Sequence, residues 1–101
     1  FRTVPTKPDT FAIDFDAHTV SFHGEPLTLA KKEFEIVSLL ARHPGQIFDK
    51  ERIYELLWGW DSEGDSNVVA EHIRRIRQKF SAAGSTSPID TVWGVGYKWV
   101  K

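Results

Sequence analysis

Residues 67–80 read NVVAEHIRRIRQKF, and this stretch limits the possible folds more than any other part of the chain. At about 100° per residue, Val69, Ile73, Ile76 and Phe80 fall within one narrow arc, which predicts a helix with a single apolar stripe turned to a core. Asn67, Val68, Glu71, Arg74, Arg75 and Gln78 project from the opposite side, with His72 and Lys79 on one flank and Arg77 on the other. Only Glu71 opposes the cations Arg74, Arg75, Arg77 and Lys79, in a chain whose net charge is -1. Arginine's planar fork pairs bidentately with phosphate or with a guanine edge, so an arginine-rich face with amides beside it suits nucleic acid. A helix that is merely basic on its solvent side is the plainer reading of the same residues.

The rest of the chain must supply the core. A length of 101 residues without internal repeats fits one domain. No run approaches the ~18 apolar residues needed to cross a bilayer, so a soluble, membrane-free protein is expected. With no cysteine, neither disulfides nor thiolate zinc sites can form. Methionine is absent too, which reads as a piece of a longer protein. Residues 1–10, with Pro5 and Pro8 among threonines, look like a linker remnant, and residues 11–101 like the domain.

Phe11, Ile13 and Phe15 alternate with Ala12 and Asp14 as a strand, and Asp16 to His18 supply a turn. Thr19 to Phe22 makes a second strand. The chain then turns around Gly24, and Leu27 to Leu29 is a third strand or a helix entry. Asp14 and Asp16 read as solvated strand-end acids, with no ligand cluster around them for a metal. Lys31 to His43 is a helix facing inward through Phe34, Val37, Leu40 and Ala41, with Ile36 on the margin, and Pro44-Gly45 ends it. After an extended link, Asp49 caps a second helix from Lys50 to about Trp58, with Ile53, Leu56 and Leu57 inward. A loop carrying Trp60, Asp61, Glu63 and Asp65 leads to the basic helix, which Asp65 or Ser66 caps. Gly84 and Pro88 stop that helix, and Ile89 to Trp93 and Tyr97 to Val100 form a hairpin through Gly94-Val95-Gly96. Tyr97 and Trp99 are assigned to opposite sides of the last strand. The predicted fold class is α+β: a winged helix-turn-helix with an N-terminal antiparallel β-sheet, three helices and a C-terminal β-hairpin wing. In such a fold the third helix docks in a major groove with the hairpin alongside.

From Phe11 to Lys101 the chain resembles the winged-helix effector domains of bacterial two-component response regulators of the OmpR/PhoB type. The likeness is carried by LAKKEFEIVSLLARHPGQIFDKERI (29–53), LWGWD (57–61), SNVVAEHIRRIRQKF (66–80) and IDTVWGVGYKW (89–99). The resemblance implies sequence-specific binding of double-stranded DNA and transcription regulation in a two-component phosphorelay. It also implies a bacterial, cytoplasmic setting and an upstream phosphorylatable receiver domain, with two copies on tandem half-sites. Arg75 matches a position that commonly reaches base edges, and His72, Arg74 and Arg77 match positions usually near phosphates. Asn67 and Val68 lie where the helix enters the groove. Glu71, Gln78, Lys79, Trp93 and Lys98 complete the expected DNA-binding set, and Trp60, Asp61, Glu63 and Asp65 correspond to a loop through which members can touch RNA polymerase.

Three departures from the family pattern bear on these roles. Ala30 stands where a threonine often pairs with Glu33, leaving half a capping box and a start weaker by roughly 1 kcal/mol. Trp93 replaces a frequent wing arginine, and packing under the hairpin is the expectation for it, ahead of stacking on a sugar. Glu71, with Ala70, replaces an Asp-Val pair; it would repel phosphate yet could accept from a cytosine amino group. The alternative function is a winged-helix protein-interaction or assembly module without specific DNA readout. An enzyme is not expected, since His18, His23, His43 and His72 are scattered and no phosphate-cradling glycine loop occurs. No cofactor, metal or small-molecule ligand is expected either.

Overall fold

The computed structural model describes residues 11–59 and 64–100; the linker reading of residues 1–10 and the loop residues Trp60, Asp61 and Glu63 lie outside them. Three antiparallel strands open the fold in the order β1-β2-β3: β1 (Phe11–Asp14), β2 (Thr19–Phe22) and β3 (Glu25–Leu27). β1 ends at Asp14 rather than Phe15, because the Asp14 carboxylate accepts the backbone N–H groups of Asp16 at 3.1 Å and Ala17 at 3.0 Å and so curls the chain. His23 and Gly24 both take left-handed conformations, φ 55° and 82°, as a two-residue type I′ hairpin requires. That tight turn starts β3 at Glu25, ahead of the Leu27 to Leu29 expected from sequence. Pro26 is tolerated because β3 is an edge strand.

The first helix, α1 (Lys31–Ala41), begins with Ala30 in the cap position without a side-chain acceptor. Glu33 supplies the reciprocal half of the box, accepting the Ala30 N–H at 2.9 Å. Ile36, placed at the margin by periodicity, is wholly buried. The reason is that α1 packs against α2, α3 and the last strand together, so its covered arc is wider than one stripe. In α2 (Lys50–Trp58), the Asp49 carboxylate caps the helix by accepting the Arg52 N–H at 2.7 Å. Its inward face corrects the sequence reading: Ile53 and Tyr54 are buried, while Leu56 is exposed. The helix is rotated toward Tyr54, whose ring stacks on Trp58 one turn later at 5.3 Å, and the rotation carries Leu56 outward.

The basic helix, α3 (Asn67–Ala82), buries Val69, Ile73, Ile76 and Phe80, the stripe read from sequence. It leads to the hairpin β4 (Ile89–Val92) and β5 (Gly96–Trp99). The α1–α2 link adds a third, partial strand to this ribbon. Phe48 and Tyr97 exchange two backbone hydrogen bonds of 2.9 Å, and the Gly45 N–H donates to the Trp99 carbonyl. Tyr97 and Trp99, two residues apart, share one face and both pack on the core, contrary to the opposite sides assigned from sequence. The hairpin is thus fixed at its root to the helical core. No helix among the described residues is long and apolar enough to cross a membrane.

Candidate nucleic-acid interface

The start of α3 is fastened to the start of α2. Asp65 caps α3, its carboxylate accepting the Asn67 N–H at 2.8 Å. Ser66 holds the cap position without a capping bond and instead donates to Glu51 at 3.2 Å. Lys50 Nζ donates to the Asn67 side-chain oxygen at 2.7 Å. Asn67 is therefore exposed but already hydrogen-bonded, and Val68 is half-buried against the core. Sequence reasoning missed the Lys50 contact, because the pairing of two helix N-termini depends on the crossing of α2 and α3 and leaves no local signal.

Along the outer face, Glu71, Arg74, Arg75 and Gln78 are exposed. Arg75 Nη2 meets Glu71 Oε1 at 3.3 Å, an i,i+4 pair with both side chains about half exposed. Pairs of this kind are worth only ~0.3–0.5 kcal/mol, enough to align the fork and little to release it. The flanks differ from the outer face. His72 Nδ1 lies 2.8 Å from the Val68 carbonyl, which can only accept, so Nδ1 carries the proton. The ring meets Trp58 edge-on at 5.3 Å, and packing is what the fold requires of it.

Lys79, placed on a flank and counted among the expected DNA contacts, is turned instead to α1, where Nζ donates to Glu33 at 2.5 Å. The Glu33 side chain is only 3% exposed. Burial pushes its carboxyl up, but the Lys79 hydrogen bond, the Ala30 N–H and the nearby charges of Lys79 and His72 outweigh that, holding it below the ordinary value. Arg77 is a bracket between α3 and the wing: Nη2 donates to the Ile89 carbonyl at 3.1 Å and to Thr91 Oγ1 at 2.7 Å, beside the Tyr97 ring. Thr91 is a second residue that sequence reasoning missed.

The wing holds the largest correction. Trp93, expected to pack under the hairpin, is 89% exposed. It follows Val92↔Gly96, the last strand pair, so strand alternation no longer directs its side chain, and no apolar surface among the described residues covers it. Lys98 is half-buried and stands opposite Asp90, on the strand face away from the core. Arg74, Arg77, Gln78 and Trp93 line one groove between α3 and the wing. An exposed, arginine-rich helix with a ribbon pinned beside it defines a winged-helix domain that presents a basic helix and a wing to one partner.

Comparison with known proteins agrees. The family described as "Transcriptional regulatory protein, C terminal" matches residues 24–99. The chain belongs to this family, the OmpR/PhoB-type effector domains of response regulators, whose work is DNA-binding transcription regulation. It is 47% identical over 75 residues to the heme response regulator HssR of Staphylococcus aureus, covering 74% of this chain and 34% of HssR. The chain thus spans about a third of the length of the curated relatives it matches. The DNA-binding domain of response regulator AdeR, solved with an intercistronic region, superposes with a TM-score of 0.79 at 25% identity, covering 96% of this chain and 98% of that one. The Klebsiella pneumoniae RstA DNA-binding domain, solved with the RstA box, gives 0.77 at 29% identity over 99% and 98% of the two chains.

Proposed function

We propose that this domain reads specific double-stranded DNA by placing α3 in the major groove, with the β4–β5 wing against the neighbouring backbone. The observation that carries this reading is the exposed Arg74–Arg75 face, mounted beside a wing that Arg77 and the Phe48–Tyr97 bonds fix in position. Arg75 is assigned to base edges and Arg74 to phosphate. Gln78 lies on the same face, and Asn67 and Val68 stand at the point of entry. Glu71 has two effects: it repels phosphate, lowering affinity for arbitrary sequences, and it pre-aligns the Arg75 fork for a base edge. Structures of AdeR and RstA domains with DNA support the choice of partner.

The action is non-covalent: phosphate contacts set the register and the arginine fork reads sequence, with no catalysis. The proposal extends to an upstream receiver domain in the full protein, in keeping with the chain's covering 34% of HssR, to two copies on tandem half-sites about one helical turn apart, to contact of the α2–α3 loop with RNA polymerase, and to a cytoplasmic site of action. Selection of the purified chain against a randomised duplex pool of ~30 base pairs at physiological salt tests the reading. Enrichment of a short motif, repeated every ~10 base pairs, is the expected result. A pool that stays flat through several rounds refutes specific readout and favours a protein partner for the basic face.

A further inference from the structure

Trp93 is the most exposed large hydrophobic side chain among the described residues, at 89%. Its mount is rigid. The Val95 N–H donates to the Val92 carbonyl at 2.9 Å, closing a turn in which Gly94 takes φ 77°, a region that L side chains rarely adopt. Directly below, Gly96 abuts the Phe48 carbonyl so closely that no Cβ fits, which locks the loop to the α1–α2 link. Arg77 ties β4 to α3 on the other side. The backbone that carries the exposed indole is therefore fixed relative to α3.

That place is a ridge between two hollows. One is shared with Arg74, Arg77 and Gln78 of α3, and the other with Lys50 and Glu51 at the start of α2. A DNA strand alternates anionic phosphates with apolar deoxyribose faces. An aromatic ring set one step from arginines matches that alternation, with cations meeting phosphates and the ring meeting the sugar between them.

We infer that Trp93 is an uncharged DNA anchor, its indole packed on the deoxyribose edge of the minor groove beside the major groove that α3 enters. The inference rests on the DNA-binding reading above. Counterion release scales with the number of phosphates neutralised by cations, so Trp93 adds affinity without steepening the salt dependence. A ring on the groove edge senses groove width rather than base identity. Trp93 accordingly contributes preference among flanking sequences of different shape, whereas Arg75 reads bases.

The test uses this chain, the duplex enriched in the selection experiment, and titrations over a range of salt concentrations. Trp93→Ala is expected to weaken binding about tenfold at every salt concentration, leaving the slope of log affinity against log salt unchanged. Trp93→Arg is expected to bind more tightly than Trp93→Ala and to steepen the slope by about one unit. At 89% exposure neither substitution removes core packing, and matching circular dichroism and melting curves establish that both variants fold. A Trp93→Ala variant that binds as the wild type does, or that flattens the salt slope, overturns the inference while leaving the DNA reading intact. A wild-type chain that enriches no duplex overturns the DNA reading itself, and the anchor with it.

Discussion

Replacing Glu33 with glutamine isolates the charge of the one buried carboxylate among the described residues. In the wild type, Oε1 accepts from Lys79 Nζ at 2.5 Å and from the Ala30 N–H at 2.9 Å. Glutamine keeps the shape and the oxygen acceptor, and exchanges the ion pair with Lys79 for a hydrogen bond from the ammonium to a neutral amide oxygen. What is lost is the Coulomb part of the pair, which lies between the ~0–1 kcal/mol of an exposed ion pair and the ~3–5 of a fully buried one; with one partner buried and the other partly exposed, the loss is about 1–1.5 kcal/mol near pH 7. The ~3–5 kcal/mol cost of stranding a buried charge is not incurred, because Lys79 is itself 37% exposed and can turn to water. For a domain of this size the change lowers Tm by about 5–10 °C.

The pH dependence has a definite sign. The folded carboxyl lies below its ordinary value of 4.5, so its stabilisation is present above the unfolded pKa and is lost as pH falls through the folded one. The gap between wild type and Glu33→Gln should be constant near neutrality and close progressively below about pH 4.5. Paired urea unfolding curves from about pH 7 to pH 3 measure it, and the other carboxylates cancel because both proteins carry them. No gap near neutrality, or a gap that persists unchanged at the acid end, would show that the fold does not favour the ionised form of Glu33.

Arg75→Ala should cost ~1–3 kcal/mol on the selected duplex and relax preference at one base position; equal loss on every sequence would move Arg75 to the phosphate-contact class. Arg77→Ala should weaken all duplexes nearly alike, since its bonds to Ile89 and Thr91 hold the wing to α3, and it should also lower stability by ~1 kcal/mol in thermal melts. A loss confined to one sequence would assign Arg77 to base reading instead. Gly96→Ala would bring a methyl group to 2.8 Å from Asp49 Cα and onto the Phe48 carbonyl, backbone atoms that cannot rotate away. A drop of ~1–3 kcal/mol in denaturant unfolding is expected, and wild-type stability would show that the link and wing separate at little cost.

Much of the fold was legible because period and punctuation survive in the local sequence. The stripe Val69, Ile73, Ile76 and Phe80, the Asp49 cap and the breaks at Gly45 and Gly84 each depend on neighbours within a few residues. The misreadings fall where a side chain's surroundings come from distant segments. Ile36 is wholly buried on a helix covered by α2, α3 and β5, and Leu56 is displaced by the Tyr54–Trp58 stack. Lys79 reaches Glu33 across 46 positions. On the candidate interface, the exposure of Arg74, Arg75 and Gln78 follows from the helical wheel. The engagement of Asn67, His72 and Arg77 by Lys50, Trp58 and Thr91 does not.

The sequence alone determined the order of elements, the single-sided core stripe of α3 and the concentration of arginine on its outer face, because helical and strand periods are local properties of the chain. Tertiary structure decided which of those cations remain at the surface. The crossing of α1 over α3 brings a buried carboxylate to Lys79, and the approach of β4 to α3 gives Arg77 two oxygen acceptors. Packing also decided that Trp93 stands in solvent, since a residue beyond the last strand pair is covered only if a distant element lies over it, and none among the described residues does.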